Sequence, residues 1–78
     1  MKFYNTDSVM ETVGEPIGDY TIVNRFTNYL PYVCAWCLKK AEGETEVNGE
    51  VLPHYYWCQG HYFEEYEDAV AYAIEKTR

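Results

Sequence analysis

Four side chains able to hold a metal fall into two pairs: Cys34 and Cys37 in "CAWC", Cys58 and His61 in "CQGH". Two residues separate the members of each pair, a spacing at which one tight turn aims both side chains at a single ion. Structural zinc is held by thiolates and imidazoles arranged in such pairs, so Cys34, Cys37, Cys58 and His61 are the expected ligands of one closed Zn2+ site. Zinc is preferred to iron because the set contains an imidazole and no cluster-type cysteine run. His54, four residues before Cys58, is the alternative fourth ligand; His61 is preferred because a C-x-x-H pair shares one short turn. Two other readings use the same residues. A redox C-x-x-C pair normally opens a helix, which lowers the thiolate pKa, whereas "LKKAEGETE" after Cys37 reads as an arm or loop. Alternatively, the three cysteines are small buried hydrophobes.

The elements that would position these residues follow from pattern and turn chemistry. "ETEVNGEVLP" places Asn48-Gly49 between near-mirrored Glu-Val pairs, which predicts a β-hairpin with a type I′ turn. Its second arm continues through "VLPHYYW", with Pro53 on an edge side. In "GHYFEEYEDAVAYAIEKTR", Phe63, Tyr66, Val70, Ala73 and Ile74 recur at helical spacing. Acids crowd the first half of that segment and Lys76 and Arg78 close it, complementing the helix dipole. Upstream, Met1–Asn5 reads as a short edge strand. "SVMETVGEP" reads as one or two helical turns, with Ser8 and Glu11 as a capping box, Gly14 as terminator and Pro16 as stop. "GDYTIVNRFTN" alternates Thr21, Val23 and Arg25 against Tyr20, Ile22 and Phe26 and is rich in β-branched and aromatic residues, which predicts a strand ending near Pro31.

The order knuckle, hairpin, helix, with ligands at the knuckle and at the first helical turn, resembles the treble-clef zinc finger over Tyr32–Arg78. The resemblance implies that Cys34 and Cys37 are knuckle ligands and that Cys58 and His61 are helix ligands. Leu38 stands where treble-clef knuckles commonly carry Gly. The expected fold class is therefore α+β: a small zinc-stapled, treble-clef-like domain, with β-hairpin followed by C-terminal helix. One domain is expected over 1–78, residues 1–31 packing a strand and short helical segment onto the zinc-binding 32–78.

At 78 residues the core is small, and such domains often need a metal or disulfides as a staple. Three cysteines cannot complete a disulfide framework. No charged N-terminal stretch leads into an apolar run, and no run is long enough to span a membrane. A reducing, intracellular, cytoplasmic setting is the expectation. Four ligands would close the metal site to water, and no HExxH, phosphate-loop or nucleophile motif is present, so a non-enzymatic protein is expected. A nuclease built on a similar hairpin and helix would place its histidine at the end of the first strand, whereas His54 follows Pro53 on the second arm.

Thirteen Asp and Glu stand against six Lys and Arg, beside nine tyrosines and two tryptophans. Aromatic content of this order belongs to a folded chain. Nucleic acid requires clustered cations, and only Lys39-Lys40 and Lys76–Arg78 supply them. Direct nucleic-acid binding is therefore the second reading, with stacking on exposed aromatics as its mode. The first is protein–protein interaction with a partner of basic surface, as an inhibitor or charge mimic of a nucleic-acid-handling protein. Trp36 and Tyr55 are candidate hot-spot aromatics. Glu42, Glu44 and Glu46 would line one side of a strand at about 6.6 Å spacing, comparable to phosphates along a nucleic-acid strand. A charge-blunted strand edge explains the same glutamates, and solubility with dipole complementarity explains Glu64–Asp68. In size, acidity and tyrosine content the chain is similar to small phage-encoded host-takeover and anti-defence proteins.

Overall fold

The computed structural model describes residues 1–78. The chain forms β1 (Lys2–Asn5), β2 (Ser8–Ile17), β3 (Tyr20–Asn24), β4 (Tyr32–Trp36), β5 (Lys39–Val47), β6 (Glu50–Tyr56), β7 (Gln59–Phe63) and α1 (Tyr66–Lys76).

The segment read as a helical turn is a ten-residue strand, β2. Its capping-box residues are cross-strand partners instead: Ser8 faces Asn5 and Glu11 faces Lys2. The physical reason is burial on both sides of the strand. Met10 lies opposite Phe3, both in the core, and Val13 opposite Ile22. A helix over the same residues would forfeit both ladders. Gly14 ends no helix; it adopts φ 72° at the register break between Val13 and Ile17. The Asn48-Gly49 turn forms as expected, with φ values of 52° and 83°, and Val47 pairs with Glu50 across it. The strand expected around Thr21–Val23 forms as β3, with Val23 and Ile22 buried on opposite faces.

The seven strands lie in the order β5-β6-β1-β2-β3-β4-β7. β1 is therefore interior, antiparallel to β2 and parallel to β6 through Tyr4 and His54, rather than the edge strand its sequence suggests. Five inter-strand steps separate β6 from β7, roughly 24 Å in a flat sheet. Yet only Trp57 and Cys58 connect them, a span of about 11 Å at most. The sheet must therefore curl, and β6–β7 acts as one bent strand that brings its two ends together. Gly60 permits the closure: a Cβ there would meet Val33 Cγ2 at 2.9 Å and Trp57 Nε1 at 2.8 Å.

Curling divides the apolar residues in two. Phe3, Met10, Val23, Val33 and Ala35 pack on the concave side, with Leu38, Tyr55 and Trp57 against them. Ile22 and Cys34 pack on the convex side beneath α1, whose Ala69 and Ala73 are fully buried. Small residues four apart let the helix axis come close to the sheet.

These observations correct the expected fold class. The molecule is a seven-stranded mixed sheet with one short helix, and no treble-clef order of knuckle, hairpin and helix exists. β7 intervenes between hairpin and helix, so the helix begins at Tyr66 and not at the second cysteine pair. Residues 1–31 are not an addition packed onto a finger; they supply β1–β3, the middle of the sheet.

Candidate functional site

Cys34 and His61 are directly opposed on β4 and β7. The Cys34 side chain is fully buried among Ile22, Ala69 and Ala73. Burial alone pushes its thiol up to about 11, because an apolar setting penalises the thiolate. The His61 ring lies 4.5 Å from the Tyr72 ring, and Phe63 and Tyr20 approach the same tyrosine at 5.6 and 6.1 Å. Lys76 Nζ sits 5.5 Å from its centroid. This is a packed aromatic seam along the helix.

The remaining donors lie elsewhere. Cys37 follows β4 in a left-handed conformation, φ 58°, donating its N–H to the Asp19 carbonyl at 3.0 Å. Cys58 is exposed in the bend between β6 and β7. His54, the alternative ligand, has Nε2 2.6 Å from Thr45 Oγ1 and stacks on Tyr4 at 5.6 Å. No three His, Cys, Asp or Glu side chains converge on one point. Zinc takes thiolates, and the Cys34 thiol is the one burial most disfavours ionising. The donor set as placed does not fit a four-coordinate zinc. The second pair does not open a helix: Cys58 lies in the β6–β7 bend and His61 on β7.

The partner-facing residues divide similarly. Tyr55 is half-buried, its ring 5.5 Å from Phe3, and its carbonyl accepts a 2.8 Å bond from Asn5 Nδ2. Trp36 is half-buried at the end of β4. Glu42, Glu44 and Glu46 are exposed on β5. A register break between Lys40 and Glu44 falls on Glu42, so the regular acidic row is Glu44 and Glu46.

β5 ends the sheet order, so nothing in the molecule pairs with its outer side. In a two-residue hairpin the residues flanking the turn exchange both hydrogen bonds. Val47 therefore faces Glu50, while Glu46 and Glu44 turn their own N–H and C=O groups outward. Bare backbone and carboxylates thus alternate along one edge. Of the carboxylate side chains only Glu50, 3.5 Å from Lys2, and Glu75, 3.7 Å from Arg78, reach a cation.

The β3–β4 loop holds Phe26 and Leu30 in left-handed conformations, φ 57° and 47°, a costly state for bulky residues. Hydrogen bonds fix it. Asn24 Oδ1 accepts from the Phe26 N–H at 2.9 Å, and Glu64 Oε1 accepts from the Leu30 N–H at 3.0 Å. Arg25 donates to the Leu30 carbonyl at 2.9 Å, and its guanidinium lies 4.5 Å from the Tyr62 ring. Phe26 and Tyr29 are left 56% and 73% exposed. The signal in sequence is two aromatics, in "RFTNYLP", set among turn formers.

No family model, curated protein or solved structure matches the chain. No helix is long and apolar enough to cross a membrane.

Proposed function

We propose that the protein is a non-enzymatic, cytoplasmic binding protein that docks its acidic β5 edge on the basic surface of another protein. The observation that carries this reading is the uncovered edge of β5, where Glu44 and Glu46 present both carboxylates and free backbone groups. Strand edges recruit extended segments through main-chain hydrogen bonds, and side chains on alternate positions select them. Here the selecting groups are anionic, so Lys- and Arg-bearing segments fit. Surfaces that handle nucleic acid are of that kind, which makes inhibition by charge mimicry the natural consequence. Phe26 and Tyr29, held out by a strained and hydrogen-bonded loop, suit an apolar anchor for the same or a second contact.

Direct nucleic-acid binding is disfavoured by charge: the cations form only two small groups, Lys39-Lys40 and Lys76–Arg78, in a chain of net charge −7. The test is affinity capture from source-cell extract with the wild-type chain and with Glu44→Lys/Glu46→Lys. A basic protein retained by the wild type, lost with the double variant and released by salt is expected. Identical capture by both chains rejects the role given to this edge. Retention of single-stranded DNA by the wild type at low salt, abolished by Lys39→Glu/Lys40→Glu, would establish the other reading.

A further inference from the structure

Cys37 and Cys58 reach one place from opposite directions. The β4–β7 ladder runs from Tyr32 and Phe63 to Trp36 and Gln59, and Cys37 and Cys58 are the residues that flank its end on the two strands. A hydrogen bond holds the two segments close: the Cys58 N–H donates to the Trp36 carbonyl at 3.0 Å, and that carbonyl carbon is bonded to the Cys37 nitrogen. With a planar peptide and a near-straight hydrogen bond, the two Cα atoms lie within about 7 Å of each other. Disulfides bridge Cα separations of about 4.4–6.8 Å. Cys37 sends its own N–H away, to Asp19. Cys58 is exposed and Cys37 half-buried, whereas the third thiol, Cys34, is sealed beneath α1.

We propose that Cys37 and Cys58 form a dithiol site that closes to an intramolecular disulfide by exchange with a small disulfide of the oxidised-glutathione class. The exposed Cys58 thiolate attacks one sulfur of that disulfide. The S–S bond breaks, a mixed disulfide forms, and one glutathione thiolate leaves and takes up a proton. Cys37, its proton given to solvent, then attacks the Cys58 sulfur and expels the second glutathione. Two protein thiols are oxidised as one glutathione disulfide is reduced to two thiols. The bond ties the end of β4 to the β6–β7 bend and encloses the β5–β6 ribbon in one covalent ring. In a reducing compartment such an exposed bond is transient, which is the behaviour of a redox-responsive site.

The test uses the full-length reduced chain incubated with oxidised glutathione. Free thiols are blocked with N-ethylmaleimide, first natively and then after denaturation, before intact mass and peptide mapping. The expected product is lighter by two hydrogens before labelling and takes one maleimide, at Cys34, only after denaturation. It yields a peptide linking Cys37 to Cys58. Cys34→Ala should close equally, while Cys37→Ser should stop at a glutathione adduct on Cys58. Persistent glutathione on Cys58 of the wild type, alkylation of both thiols, a link to Cys34, or a covalent dimer through Cys58 would overturn the proposal.

Discussion

Cys34 shows how a reactive residue type becomes a packing residue. Its thiol is buried in the apolar cluster under α1, and burial moves its pKa from 9.0 to about 11. The unfolded chain gives up this proton first, so the folded state holds more protons between those values. Stability should therefore fall as pH rises from about 9 to 11, by about 2 kcal/mol from this group alone. Below that window its contribution is intact. Denaturant unfolding of wild type and Cys34→Ala across pH 7–11 checks this: the alkaline loss should shrink in the variant. Native maleimide labelling should spare Cys34 at neutral pH and modify Cys58 readily.

At the scale of elements, closure of the sheet depends on the two-residue bend and on the absence of a side chain at Gly60. Gly60→Ala should cost about 1–3 kcal/mol by overpacking against Val33 and Trp57, read as a lower urea midpoint and altered tryptophan emission. Phe3→Ala, emptying the centre of the concave core, should cost about 3–5 kcal/mol. Legibility differed among elements for physical reasons. Asn48-Gly49 was readable because a left-handed two-residue turn has few chemical solutions. The later half of α1 was readable because Val70, Ala73 and Ile74 sit at helical spacing. Ser8–Ile17 was misread because capping-box letters also occur as cross-strand partners, and only the distant β1 and β3 decide between the two. Gly60–Phe63 reads as part of the helix because aromatics fit both periods; the open side of β4 claims it as a strand. At the site, the exposed glutamates of β5 were readable from alternation, although the register break at Glu42 was not. The packing of Tyr55 on Phe3 was not readable, because no local pattern reveals a contact fifty-two positions away.

The whole molecule measures 39 × 25 × 18 Å and carries a strongly unbalanced charge with very few ion pairs. Its stability rests on a curled sheet with two thin apolar layers, and no three His, Cys, Asp or Glu side chains converge. The thermal midpoint should accordingly stay within about 2 °C when a chelator is added, measured by circular dichroism. A collapse of the midpoint under chelation would show that a metal organises the chain. Exposed carboxylates at this density repel one another, so added salt should raise stability modestly while weakening partner binding.

The bare edge of β5 is the contact surface of the proposed function. Hydrogen–deuterium exchange on the captured complex, compared with the free chain, addresses it directly. Slowed exchange within 39–47, with the Glu44 and Glu46 amides most protected, is the result predicted here. Protection confined to α1 or to the 25–31 loop, with β5 exchanging as in the free protein, would contradict it.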